Sequence, residues 1–233
     1  WIWRGIQTGD FATGHAPLQN MYEVFLLMGW GIAPLAALFR WGLRVRGAWI
    51  DALLGALVLF PALFVFDPDK QYLMPALQSP LFIPHVVVYL LGYLIIVRAA
   101  FSAMGVMVHG TADLADFAAV RDGLRTRQDS MRALLRLGFP LMTLGMLLGA
   151  LWAQQAFGDW WSWDPKEQWS LTTWLILAAA LHAPFTPWGK FRRLMASLVL
   201  LAVVAMIVTL LWSQISNALV EAGYLDPQNS YHT

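Results

Sequence analysis

LWAQQAFGDWWSWDPKEQWSLTTW, residues 151–174, sets how the rest of the chain is read. It carries six of the thirteen tryptophans: Trp152, Trp160, Trp161, Trp163, Trp169 and Trp174. Indole is flat and apolar with one N–H donor, so it suits a membrane–water boundary and equally a flat aromatic ligand. An interfacial aromatic belt would account for any one of them. Six in one short segment, with Gly158, Asp159 and Asp164 among them, point instead to a surface that receives something large, planar and mostly apolar. Asp164-Pro165-Lys166-Glu167 has the form of a helix start, with Asp at the N-cap, Pro at the first helical position and Glu at the third. The tryptophan loop therefore ends at Asp164, and a helix carrying Trp169, Trp174 and His182 begins there.

Long apolar runs flank this segment and recur along the chain. Of the 233 residues, 59% are hydrophobic and 12% charged, with a mean hydropathy of +0.57. A soluble domain carries about 25% charged residues, so the composition predicts a polytopic membrane protein. Six spans are expected, at about 22–39, 49–66, 82–108, 134–153, 165–183 and 194–219, most of them near the roughly 20 residues that cross a bilayer. The link 67–80 contains three prolines, and 109–130 is the longest polar stretch. Net charge is +1, so no nucleic-acid partner is indicated, and the absence of cysteine excludes disulfides and thiolate metal sites within this chain. Trp1 in place of Met leaves room for upstream segments.

Charge orients the spans. Arg40, Arg44, Arg46, Arg121, Arg125, Arg127, Arg132, Arg136, Lys190, Arg192 and Arg193 fall on one set of connections, whereas the alternate set holds Arg4, Lys70 and Lys166. The basic side is therefore expected to be cytoplasmic. The tryptophan loop, the 67–80 link and both ends of the chain then lie on the extracytoplasmic face, and Arg98 can snorkel toward the basic side. Gly145 and Gly149 form a small-xxx-small pair suited to close helix packing. The expected architecture is one all-α transmembrane domain over 1–233, a helix bundle of six spans with an extracytoplasmic tryptophan-rich loop.

Five histidines, His15, His85, His109, His182 and His232, are the plausible metal ligands. His85 follows Pro84 at the outer start of the third span. His182 lies 17 positions after Pro165, about 25 Å along a helix, so the two cannot serve one metal. A membrane histidine can do no more than bond a neighbouring helix, yet an ionisable group inside a span is costly to bury and is a functional candidate. Imidazole beside a wall of indoles suits heme, whose iron it ligates axially while aromatic side chains cover the porphyrin. A quinone, flat and hydrogen-bonded by histidine, competes with it.

FGDWWSWDPKEQWSLTTWLILAAALH, residues 157–182, closely resembles the tryptophan-rich WWD signature of the heme-handling proteins of cytochrome c maturation, in the form of the CcsA/ResC branch. GHAPLQNMYE (14–23) and LQSPLFIPHVVVYLLGY (77–93) resemble further segments of that branch, and the likeness covers about 14–212. The resemblance implies a protein that moves heme b outward and presents it for thioether attachment to the CxxCH motif of apocytochrome c. It implies a membrane histidine that holds heme on its way, matched by His182, and an external axial ligand, matched by His85. Trp152, Trp160, Trp161, Trp163, Asp164 and Trp169 would cradle the heme. The family has a second external histidine where this chain reads Ser216 or Asn217, leaving His232 as the substitute. It also implies a CcsB/ResB-like membrane partner, lipid contact, and a place in a bacterial cytoplasmic membrane or a plastid thylakoid. Holocytochrome c synthase (heme lyase) activity is the leading expectation. A heme-binding or scaffold subunit without synthase activity, and a heme exporter of the CcmC type, are the alternatives.

Overall fold

The computed structural model describes residues 18, 20–67, 79–109, 114–185 and 192–224, and every regular element among them is a helix. Helix α1 (Met21–Ala37) starts where the Asn20 side chain accepts the Glu23 amide at 2.8 Å, and runs on into a π-helical turn, Leu38–Gly42. A short return leads to α2 (Ala48–Phe64). Helices α3 (Phe82–His109), α4 (Leu114–Arg121) and α5 (Arg127–Phe157) follow. Thr126 caps α5 by accepting the Asp129 amide, and Gly158 ends it at φ +88°, a conformation that favours glycine. Then come α6 (Pro165–His182), α7 (Arg192–Leu210) and the short α8 (Trp212–Glu221).

Among the described residues, four helices are long and apolar enough to cross a membrane: Met21–Gly42, Phe82–His109, Arg127–Phe157 and Arg193–Leu210. Helices α2 and α6, the other two expected spans, fall short for different reasons. At 17 residues α2 is about 26 Å long, less than the roughly 30 Å hydrocarbon core, and Pro61 lies in its last turn. Helix α6 has 18 residues but opens on Lys166, Glu167 and Gln168 and carries Ser170, Thr172 and Thr173, which dilute its apolar character. Three boundaries also differ from expectation. The polar stretch 109–130 contains α4, α5 begins seven residues early at its Thr126 cap, and the last span breaks at Leu211 before α8.

Helix α3 is the axis of the bundle. It packs along α5 and α7, with α1 and α2 against it and α6 closing the other side between α5 and α7. Lipid tails are as apolar as leucine, so burial from lipid drives little, and close backbone approach carries the packing. The α3–α5 seam shows how. A Cβ at Gly138 would meet Ile96, one at Gly92 would lie 3.3 Å from the Met142 amide nitrogen, one at Gly145 3.2 Å from the Tyr89 Cα, and one at Gly149 against the His85 ring. Each step along α5 is matched by an equal step back along α3, so the two helices run antiparallel in one register. The expected Gly145–Gly149 packing pair is thus part of a longer seam. Outside it, Leu57, Phe60 and Leu63 of α2, Leu147 of α5 and Val204 of α7 are exposed, as lipid-facing side chains would be.

The two ends of the bundle differ in chemistry. At the basic end, Arg46 pairs with Asp116 at 2.5 Å, Arg127 with the same carboxylate at 3.6 Å, and the Arg125 amide donates to the Arg44 carbonyl at 2.9 Å. Arg98 belongs to this network. Rather than snorkelling to water it is 1% exposed, its Nε donating to Asp51 and its Nη2 to the carbonyls of Arg46 and Gly47. Ser197 near the start of α7 touches Met107 near the end of α3, bringing the start of α7 to the same end. The opposite end holds the start of α3, the end of α5 and the tryptophan loop that follows it.

Candidate functional site

The tryptophan end is built on three supports. The first is the α5 terminus, where Trp152, half-buried, contacts Phe82 and Phe157 with ring centroids 5.7 Å apart in each case. The second is a tie across the bundle: Ser79 Oγ donates to Gln155 Oε1 at 2.7 Å, holding the entry to α3 beside the end of α5. The third is the first turn of α6. Asp164 accepts the Glu167 amide at 2.8 Å, as its N-cap position requires. Glu167 does more than complete that cap. Its carboxylate accepts the Ser162 amide at 2.8 Å, and Gln168 Nε2 donates to the Trp163 carbonyl at 2.5 Å. Residues 158–164, the non-helical part of the loop, are thereby fastened to the helix that follows.

Within this loop Trp163 adopts φ +59°, a left-handed conformation that costs a bulky residue about 1–2 kcal/mol. Its ring stands edge-on to Trp161 at 5.9 Å. Trp160 and Trp163 are 57% and 64% exposed, whereas Trp161 and Trp169 are half-buried. An exposed indole on strained backbone, as at Trp163, is an outlier of the kind found at ligand-binding sites. Trp174 faces elsewhere: its Nε1 donates to Thr143 Oγ1 at 2.9 Å and its ring packs on Phe139, so it ties α6 to the middle of α5.

His85 lies at the same end. Its backbone amide bonds the Leu81 carbonyl as α3 begins, and its ring lies parallel to Trp152, 8° between planes and 5.9 Å between centroids. Nδ1 is 2.8 Å from the Gly145 carbonyl. His85, Trp152 and the tryptophan loop therefore share one end, as expected. His182 ends α6 at the basic end. It turns outward from the chain, exposed, where packing against other helices was expected, and its Nδ1 bonds the Ala178 carbonyl of its own helix at 2.8 Å. The structure thus separates the two histidines to opposite ends. His232 and His15 lie outside the described residues. Ser216, where a second external histidine was sought, is 1% exposed and bonds the Ser213 carbonyl, while Asn217 is exposed.

The cavity that stands out, about 380 Å³, is an apolar cleft between α1 and α3, lined by residues such as Met28, Pro34, Leu90 and Leu94. What marks the tryptophan end instead is unused hydrogen-bonding capacity: among the described residues the buried Nε1 groups of Trp152, Trp161 and Trp212 have no acceptor. Sequence reading missed Gln155 and Gln168 as fasteners, since a glutamine at a helix end carries no signal by itself.

Comparison with known proteins bears on the whole of this arrangement. A family described as "Cytochrome C assembly protein" matches residues 18–222. Among curated proteins, the "Cytochrome c biogenesis protein CcsA" of Chlamydomonas reinhardtii is 33% identical over 190 residues, covering 75% of this chain and 51% of that protein. The protein of the same name from Guillardia theta is 33% identical over 75% of this chain and 65% of its own length. That from Synechococcus sp. (strain JA-3-3Ab) is 31% identical over 79% of this chain and 72% of its own length. The chain spans about half the length of the first and about two-thirds of the second. With the family matched from the first helix to the last, and relatives at this identity over most of its length, the chain belongs to the cytochrome c assembly protein family.

Proposed function

We propose that the chain handles heme in cytochrome c maturation, holding it at the tryptophan end through His85 and presenting it for attachment to apocytochrome c. The observation that carries the reading is the stacking of His85 on Trp152, at the same end of the bundle as a loop that exposes Trp160 and Trp163, in a chain whose relatives are named for cytochrome c biogenesis. The residues present fit such cargo. An imidazole supplies an axial ligand, flat indoles cover a porphyrin face, and the unpaired Nε1 groups of Trp152 and Trp161 are donors that propionate carboxylates would satisfy. A quinone would use the indoles but would not call for a metal ligand.

Each part of the chain then has a task. His85 supplies one axial nitrogen. Trp160, Trp161 and Trp163 exclude water from the presented face, with Trp152, Asp164 and Trp169 behind them. Glu167 and Gln168 hold the loop in shape. Heme b brings two vinyl groups, and each thiol of a CxxCH motif adds across one of them, sulfur to one carbon and hydrogen to the other, with no net oxidation. With His85 the one histidine at this site among the described residues, the opposite axial position would be left for the histidine of that motif. His182, facing outward at the basic end, is the holding point before heme reaches the tryptophan end, covered there by a CcsB/ResB-like membrane partner. Helices α2 and α6 cross the membrane with the other four, the tryptophan end extracytoplasmic, in a bacterial cytoplasmic or thylakoid membrane.

A second reading, a heme-binding or scaffold subunit without synthase activity, is favoured by one observation. Ser216, at the position where the resemblance implies a second external histidine, is a buried serine that bonds the Ser213 carbonyl. Co-expression with apocytochrome c and the membrane partner, in a strain lacking its own maturation system, separates the two. The first reading expects heme-stained cytochrome c that disappears in His85→Gly and returns in part with added imidazole. Cytochrome c formation that is unchanged in His85→Gly overturns it.

A further inference from the structure

We propose that the backbone of α5 presets the His85 ring for ligation, with Gly145 and Gly149 as its positioning residues; this rests on the reading of His85 as a heme ligand and specifies what prepares that ligand. A carbonyl oxygen can only accept, so the 2.8 Å contact to the Gly145 carbonyl places the proton of the neutral ring on Nδ1. The lone pair is then on Nε2, for which no acceptor or donor is present among the described residues. Free histidine in water favours the opposite tautomer, with the proton on Nε2. In the fold, the ligating nitrogen is chosen before any ligand arrives, a role second-shell acceptors serve at metal sites.

Two further observations fix where the ring points. A Cβ at Gly149 would lie 2.7 Å from His85 Cε1 and 3.0 Å from Nδ1, so the imidazole occupies the space that any larger residue would take. Trp152, three residues on along α5, lies parallel to the ring with centroids 5.9 Å apart. Gly138 and Gly145 of the same seam receive Ile96 and Tyr89, ordinary packing partners, whereas the Gly149 step receives the one imidazole. The Gly145 carbonyl is free to accept although α5 is helical, because helical carbonyls carry two lone pairs.

The tautomer can be read on the heme-free chain, in detergent micelles, by long-range proton–nitrogen correlation of ¹⁵N-labelled histidines at a pH where the ring is neutral. Nε2 couples to both ring protons and Nδ1 to one, which identifies the protonated nitrogen, and His85 is assigned as the set lost in His85→Gln. The expected result is a single Nδ1–H form for His85. An Nε2–H form, or the averaged pattern of a solvated ring, overturns the proposal without any further variant. Gly149→Ala should displace the ring and abolish the Nδ1–H signature, while Gly138→Ala, which crowds Ile96 in the same seam, should weaken packing and leave the signature intact. An equal change in both variants would mean general loosening and overturn the positioning role. Co-purified heme at the tryptophan end should fall about 10–100-fold in Gly149→Ala, the usual loss when a second-shell partner is removed. If the signature changes and the heme content does not, the cradle exists but His85 is not the ligand, which sinks its service to heme and the proposed function's central residue together. If His85→Gly loses heme while wild-type His85 shows the Nε2–H form, the ligand stands and the preset tautomer falls.

Discussion

Replacing Arg98 by leucine tests whether the basic end holds the α1–α2 pair to the rest of the bundle. Arg98 is 1% exposed and Asp51 5%. Its guanidinium donates to Asp51 and, through Nη2, to the carbonyls of Arg46 at 2.7 Å and Gly47 at 3.3 Å. Leucine leaves the Asp51 carboxylate buried without its cation and two carbonyls without their donor. Removing one member of a buried pair costs about 3–5 kcal/mol, a large share of a typical stability of about 5–15 kcal/mol. Removing both is different. Apolar replacement of a buried pair is often close to neutral, so Asp51→Leu/Arg98→Leu should recover much of the loss, less what the two carbonyls forfeit. The expected coupling is therefore large, up to about 3 kcal/mol for residues in direct contact. Reversible unfolding in mixed micelles of increasing sodium dodecyl sulfate, followed by circular dichroism, measures all four corners of the cycle. If Arg98→Leu unfolds within 1 kcal/mol of the unmodified chain, or the two single losses simply add, the pair does not tie the hairpin and the argument fails. The threshold follows from the ordinary ±0.5 kcal/mol scatter of surface substitutions.

Two smaller perturbations address the loop. Gly158→Ala keeps open space around the new methyl but demands φ +88° of alanine, so a loss of about 1–2 kcal/mol is expected from backbone strain alone; an unchanged unfolding midpoint would show that α5 ends differently. Glu167→Ala frees the Ser162 amide while Asp164 still caps α6, so faster proteolysis within 158–164 should accompany a stability loss of only about 0.5–1.5 kcal/mol. Unaltered cleavage in that variant would mean the carboxylate does not fasten the loop.

The tryptophan end and the basic end are legible in the sequence because they rest on local rules. Asp164 and Pro165 mark a helix start wherever they occur together, and the arginines gather on alternate connections because crossing a bilayer with them is costly. The seam position of Gly145 and Gly149 was legible for the same reason, as small residues four apart leave a groove on a helix surface. Of the six expected spans, four are helices long and apolar enough to cross a membrane among the described residues, and α2 and α6 are shorter or more polar. Apolar run length does not register that α2 stops near Pro61 or that α6 opens on three polar residues.

The chain's amino-acid order alone determined that it is helical and apolar, which residues could ligate or stack, and which ends of the helices carry charge. Those properties follow from periodicity, composition and side-chain chemistry within a few residues. Tertiary structure alone decided what each candidate faces. The antiparallel register of α3 and α5 brings Gly145, Gly149 and Trp152, some sixty residues away in sequence, around His85. The same packing turns His182 outward and draws Arg98 inward to Asp51. No spacing rule within one helix contains that information, because a side chain's partner across a seam is set by the rotation and offset of two helices, and these are fixed jointly by every contact along their length.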